Sequence, residues 1–236
     1  MDARKYEASV ATWSEANQLA ERLDADRERC ISEFALGLGY LGLGDENGRQ
    51  WTSASIERSR SIGFPWAEGF ALTVDGMLCT LIDDTDSARS QFVTALEIQH
   101  QIGDEEGAGM SLGGLAALAA RGGEFENALD LYGQSLRSFK ACGDRGEEAR
   151  ILSEMGWTAL EGGDIDLARR RFLESVGAHT DVASVRGVGI ALIGLAAAEA
   201  VEERFENAVV AVAAADLFVH QEGIAVVYYD ETPAKS

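Results

Sequence analysis

The sequence predicts an all-α fold, a solenoid of stacked antiparallel helix hairpins with about 11 helices. Three observations carry that expectation. Small and apolar residues return at a forty-residue interval, Gly-rich punctuation separates the stretches between them, and only 2 of 236 residues are Pro. Pro is the strongest interior helix breaker, so its scarcity leaves nearly every stretch free to be helical.

The repeat fixes one helix of each hairpin. Ala88, Ala128, Ala168 and Ala208 are forty residues apart, followed four places later by Phe92, Tyr132, Phe172 and Val212. Four further on come Leu96, Leu136, Val176 and Asp216. Positions i, i+4 and i+8 form one stripe along a helix, here termed helix B, and Asp216 interrupts the stripe in the last repeat. Gly63, Gly103, Gly143 and Gly223 stand in register after the stripe, with Ala183 in the remaining slot. Gly takes the left-handed conformation that stops a helix. Asp104, Asp144 and Ser184 follow as N-cap residues, Asp144 with Glu147 in capping-box spacing, and Pro65 suits a first helical turn.

Between these stops lies a second helix, helix A. "EEGAGMSLGGLAALAARG", "RGEEARILSEMGWTALEG" and "SVRGVGIALIGLAAAEAVE" are apolar, rich in small residues and each followed by a short turn. Gly within a helix costs about 0.5–1 kcal/mol relative to Ala, so close packing must offset it.

Element by element, residues 4–22 read as a leading helix, with Ala8 on the forty-residue register, so the chain reads as starting mid-repeat. Hairpins follow at 26–63, 64–103, 104–143, 144–183 and 184–223, and residues 224–236 form a C-terminal tail, all within one domain over 1–236. The first hairpin fits only with a one-residue shift at Gly44-Asp45 that Gly63 does not need, which places a deletion near the start of its helix B. The tail starts apolar, "IAVVYY", and breaks at Pro233.

Composition excludes several functions. The formal charge is −20, from 40 acidic and 20 basic residues, a field that repels nucleic-acid backbones and anionic membranes. No stretch reaches the roughly 20 apolar residues of a membrane span, and "MDARKYEASVATW" has no apolar signal core, so the expected location is cytoplasmic. Cys30, Cys79 and Cys142 lack metal-ligand spacing and read as reduced, buried thiols. No metal or cofactor is expected.

Four short motifs suggest chemistry and lose it to context. "GLGYLG" at 37–42 matches a dinucleotide loop but lies inside an apolar helix A, not between strand and helix. "GMSLG" at 109–113 matches a nucleophile elbow, yet Ser111 falls within a helix rather than on a strand-to-helix turn. "DDTD" at 83–86 has Arg89 where a calcium loop starting at Asp84 needs Gly, and reads as a solvated helix start. "RRR" at 169–171 is expected to pair with neighbouring acids.

The stretch "LGGLAALAARGGEFENALDLYGQSL" resembles the tetratricopeptide repeat pattern LLxLGxLALxxGDYExAxxxYxxSL. With Ala128 as the helix B Ala, the family's Leu-Gly pair falls on Leu115-Ala116, Met155-Gly156 and Leu195-Ala196, and on Asp75-Gly76 in the second hairpin, a departure. The terminal Pro of the family is absent, and forty residues exceed the usual 34 by about one and a half helical turns. This longer form is similar to the C-terminal repeat regions of bacterial signal-transduction ATPases and transcriptional activators. The resemblance spans residues 4–223.

The resemblance implies a right-handed superhelix whose helices A line a concave groove. Projected into it are Ile31, Phe34, Leu38 and Leu41, then Phe70, Thr73 and Met77. Met110, Gly113 and Ala117 follow, then Arg150, Ser153, Glu154 and Trp157, and last Ile190, Ile193 and Ala197. The set is largely apolar and lacks the Lys/Asn clamp with which chaperone-binding members hold a terminal carboxylate. It suits a hydrophobic peptide or amphipathic helix, with Arg150 and Glu154 placed to pair with each other or with a ligand. The expectation is a non-enzymatic protein- or peptide-binding scaffold, a sensor segment of a bacterial regulator. A small-molecule receptor with an apolar pocket is the alternative, and self-association through the terminal repeats stays open.

Overall fold

Among the described residues, ten with positive φ set the frame of the helices: Asp24, Gly44, Gly63, Asp83, Gly103, Gly123, Gly143, Gly163, Ala183 and Glu203. One stands at each junction between helices, and of the nine steps from one to the next, all but that from Gly44 to Gly63 span twenty residues. The computed structural model describes the backbone of residues 3–221 and the side chains of residues 3–217. Gly223 and the tail at 224–236 lie outside the described residues.

Within them run eleven helices and no strand. These are α1 (Ala3–Arg22), α2 (Asp26–Leu43), α3 (Gly48–Ile62), α4 (Pro65–Leu81), α5 (Thr85–Ile102) and α6 (Glu105–Arg121). They continue as α7 (Phe125–Cys142), α8 (Arg145–Glu161), α9 (Ile165–Asp181), α10 (Val185–Val201) and α11 (Phe205–Gln221). The single short step in the register, from Gly44 to Gly63, contains α3, which has only 15 residues. The one-residue deletion expected in the first hairpin therefore falls in its helix B.

The junction chemistry follows from the unpaired amides and carbonyls of helix ends. At the end of α5, the N–H of Gly103 donates to the His100 carbonyl and that of Asp104 to the Gln99 carbonyl, 2.9 Å. The carboxylate of Asp104 then accepts from the Gly107 N–H at 3.1 Å. Asp84, Asp144, Asp164 and Ser184 cap α5, α8, α9 and α10 in the same way. The capping box expected at Asp144 is half formed, because the Glu147 carboxylate turns to Arg150 instead. Ala183 holds φ 52, a conformation that costs an L-residue about 1–2 kcal/mol, at the one slot where Gly was missing.

The chain forms two compact units that meet between Gly143 and Asp144. In the first, α1 to α7 each pack on the next, and α2, α4 and α6 also touch in turn as one layer of helices A. In the second, α8 packs on α9 and α10, and α10 on α9 and α11.

One contact recurs in both units. Phe92 of α5 is buried between Gly76 of α4 and Gly114 of α6, where an added Cβ would come within 2.8 and 2.5 Å of its ring. Phe172 of α9 is held likewise between Gly156 of α8 and Gly194 of α10. A benzene ring fits there only because two successive helices A carry no side chain at that level. A second level repeats the device with less uniform chemistry. Gln99 lies against Gly69 and Gly107, Phe139 against Gly109, and His179 against Gly187. Burial holds the His179 imidazole below the ordinary histidine range, and its Nδ1 has no hydrogen-bond partner.

Buried hydroxyls staple three of the hairpins. Ser55 donates to the Cys30 carbonyl (2.8 Å), Ser135 to Gly109 (2.7 Å) and Ser175 to Ala149 (2.9 Å), always from helix B to its own helix A. Four buried carboxylates are matched by arginines. Glu33 meets Arg29 and Arg58, Asp75 meets Arg49, Glu148 meets Arg145, and Glu199 meets Arg169. Asp75, the departure from the repeat pattern, also accepts from Thr52 (2.7 Å) and Gln91 (2.9 Å), so its burial leaves no unpaired charge.

The glycine slots generate a contrast. Gly156→Ala drives a methyl to 2.6–2.9 Å from the buried Phe172 ring and is expected to destabilise by about 1–3 kcal/mol. Gly177→Ala, within exposed α9 surface and with nothing within 4 Å, is expected to stabilise by about 0.5–1 kcal/mol. Urea denaturation of the two variants checks the opposite signs.

Candidate binding surface on the helix A layer

Successive helices A run parallel, so residues at equivalent heights on α2, α4 and α6 share one face of the first unit. Phe34 on α2 is 8% exposed and belongs to the core, yet its ring is the base of an aromatic cluster. Phe70 stacks on it at 5.8 Å, Trp66 meets it edge-on at 5.8 Å, and Trp66 and Phe70 are 4.9 Å apart. Phe64 extends the cluster at 5.8 Å from Trp66, and the Arg27 guanidinium rests 5.1 Å above the Phe64 ring. Trp66 is 37% exposed, so the cluster opens to solvent.

Beside it lies a cavity of about 350 Å³ between α1 and α2. Tyr6 and Trp13 of α1 form one wall, and Ile31, Phe34 and Leu38 of α2 the other. Leu38 is 46% exposed at its mouth. Met77 on α4 and Met110 on α6 are half-buried, Met77 against the cluster around Phe92.

In the second unit the face is formed by α8 and α10. Ile190 and Ile193 are exposed, 42% and 36%. Trp157 is half-buried, its ring set edge-on against Phe172 at 5.2 Å, so it braces the glycine slot as well as facing outward. Arg150 bonds to Glu147 at 2.7 Å and reaches Glu154 at 4.0 Å. Desolvation raises the Glu154 carboxyl above the ordinary range, Arg150 opposes this, and Glu147 and Glu161 add to it.

Several residues projected onto the open face are enclosed. Thr73 bonds to Ser111 at 2.9 Å and Gln99 bridges the two, while Ser153 bonds to Ser175 at 2.6 Å, and Gly113 is buried as well. The hydroxyls of Thr73 and Ser153 turn toward neighbouring helices rather than outward. Trp66, Trp13 and Tyr6 were missed. Trp66 carries a signal in hindsight, one turn before Phe70 on the same stripe, whereas α1 precedes the first hairpin and lies outside the helix A projection.

The tempting motifs settle into packing. Ser111 sits in mid-helix with its hydroxyl bonded to Gln99 and Thr73. Burial pushes the Cys30 and Cys79 thiols up to about 11, which keeps them protonated, while Cys142 is exposed, contrary to the expectation of three buried thiols. Arg169 pairs with Asp166, Glu199 and Glu202, and Arg171 with Glu174. Among the described residues no cluster of His, Cys, Asp or Glu is placed to hold a metal, and no helix is long and apolar enough to cross a membrane.

Comparison with known proteins agrees with the helical repeat. Residues 109–180 match the sequence pattern of the tetratricopeptide repeat family. No curated protein matches the sequence. Among solved structures, BtubC (BKLC) from P. vanneervenii superposes with a TM-score of 0.78 at 18% identity, over 98% of this chain and 96% of that one. The tetratricopeptide repeat sensor-containing STAND signal-transduction ATPase of Pyrococcus horikoshii gives 0.65 at 15% identity, over 85% of this chain and 34% of that one. A Rap protein in complex with Competence and Sporulation Factor gives 0.69 at 15% identity, over 94% of this chain and 61% of that one. At these identities the likeness shows the fold, a tetratricopeptide-like helical repeat.

The strained carboxyl of Glu154 has a measurable consequence. A raised folded value means the cost of its charge is present at neutral pH and disappears below its unfolded value near 4.5. Glu154→Gln is expected to raise the melting temperature at pH 7.5 and to melt with the parent near pH 4. Thermal melts across that range check it.

Proposed function

We propose that this chain is a non-enzymatic scaffold that binds a protein or peptide along its helix A face, as a sensor segment in a bacterial signalling or transcription-regulating system in the cytoplasm. The observation that carries the reading is the open aromatic surface of the first unit. Trp66, Phe70 and Leu38 present apolar area beside a cavity walled by Trp13 and Ile31, and the Trp66 and Phe70 rings are in mutual contact. Contiguous exposed apolar area of this kind marks an interaction site. Two structural relatives lend support: one is described as a repeat sensor within a larger signalling ATPase, the other was solved with a bound factor.

The second reading, a small-molecule receptor, rests on the same cavity. About 350 Å³ falls at the lower end of the volumes that hold small ligands. Exposed Val209, Val210 and Leu217 on α11 favour an additional role for the terminal repeat in self-association.

The full chain used as bait, beside Trp66→Ala/Phe70→Ala and Arg150→Ala/Trp157→Ala variants of unchanged circular dichroism, tests the groove. Loss of a captured polypeptide by roughly tenfold is expected with Trp66→Ala/Phe70→Ala if it docks on the first unit, from removal of aromatic anchors, and with Arg150→Ala/Trp157→Ala if it docks on the second. Equal capture by parent and both variants contradicts the assignment. A metabolite that raises the melting temperature of the parent but not of Leu38→Asp favours the receptor reading instead.

A further inference from the structure

The edges of the helix A face in the first unit differ in kind from its floor. At the edge where helices A begin stand Glu28 in the first turn of α2 and Glu105 and Glu106 in the first turn of α6, all exposed. At the opposite edge, where helices A end, stand Glu46, Asp83 and Glu124, also exposed. Arginines near these edges are largely committed: Arg58 to Asp26 and Glu33, Arg60 to Glu68, Arg121 to Asp83. The floor between the edges is aromatic and aliphatic. An apolar strip bounded by acids on both sides is the complement of one polypeptide chemistry, an amphipathic segment whose apolar stripe is flanked by Lys and Arg.

The chain supplies its own small example of that chemistry. Arg27 lays its guanidinium over Phe64 at the edge of the aromatic cluster. A cation over an aromatic face is attracted by the ring quadrupole. A partner's arginines can use the remaining faces of the Trp66 and Phe70 cluster in the same way. The charge of −20 adds long-range attraction for a basic partner and repels an acidic one.

We propose that the helix A face of the first unit docks a basic amphipathic polypeptide segment, with its apolar stripe on Trp66, Phe70, Leu38 and the adjoining cavity and its Lys and Arg residues on the two acidic edges. The proposal rests on the groove reading above and names the partner that groove takes. Acidic partners, including acidic peptides and nucleic acids, are disfavoured at this surface by both edges together.

The test uses the full chain and two fluorescein-labelled synthetic peptides, an amphipathic Leu/Lys helix and its Leu/Glu counterpart, read by anisotropy at low and at high salt. The Leu/Lys peptide is expected to bind at least tenfold more tightly, by roughly the margin that complementary charge confers, with affinity falling as salt rises. Neutralising the edges with Glu105→Gln/Glu106→Gln/Glu124→Gln is expected to weaken it about tenfold and flatten the salt dependence. Neutralising three exposed acids on helices B, Glu57→Gln/Glu97→Gln/Asp130→Asn, is expected to change it less than about twofold. Trp66→Ala/Phe70→Ala is expected to cost about tenfold at either salt.

If the two charge variants weaken binding equally, the attraction is to net charge and the docking proposal falls. If the Leu/Glu peptide binds as well or better and still needs Trp66 and Phe70, the groove stands and its basic partner does not. If the Leu/Lys peptide binds but ignores Trp66→Ala/Phe70→Ala, the groove reading itself is wrong. Failure of both peptides to bind also overturns the proposal.

Discussion

The stack depends on a ring set between two absences. Phe92 and Phe172 enter the space where one helix A meets the next, and they fit because Gly76, Gly114, Gly156 and Gly194 leave no Cβ in their path. Each ring thereby touches its own hairpin and the following one, Phe92 joining the second hairpin to the third within the first unit and Phe172 the fourth to the fifth within the second. The glycines cost helix stability, and the dense packing that they permit offsets it. Around this contact the other devices take their places: the buried serines that tie helix B to helix A, and the left-handed residues that return the chain after every helix.

Because packing fixes two sides of each helix A, only a narrow strip of it is free to vary. That strip carries Trp66 and Phe70 on α4, Leu38 on α2, and Ile190 and Ile193 on α10. Neighbouring positions on the same helices are committed. Thr73 and Ser111 bridge α4 to α6, and Asp75 is locked by Arg49, Thr52 and Gln91. On the proposed reading, recognition and stability occupy adjacent stripes, and a substitution one residue off the exposed strip is expected to act on folding rather than recognition.

Much of the fold was legible in the sequence because its stops are chemical. A helix that ends in a left-handed residue needs Gly, or tolerates the cost, and the forty-residue spacing of Gly103 and Gly143 located the turns directly. Even the shortening of α3 could be read from the misfit between Gly44 and Gly63. The site was less legible. Glu33, Asp75 and Glu199 look like surface acids in the sequence, and only neighbours 25 to 30 residues away in the chain reveal them as buried. The family resemblance implied the direction of the helix A stripe but not its depth, so Thr73 and Ser153 were projected outward when their short hydroxyls bond inward. Trp66 escaped because it sits in the first turn after Pro65, where a cap reading took precedence over a surface reading.

The central claim is that residues shared among repeats build the stack while the helix A residues that differ form the binding face. Hydrogen exchange on the full chain, with and without the polypeptide that binds it, tests this most directly. The account predicts new protection in peptides covering α1, α2 and α4, with exchange in α3, α5 and α7 unchanged. Protection confined to the helices B, with the amides around Leu38 and Trp66–Phe70 unaffected, would contradict it.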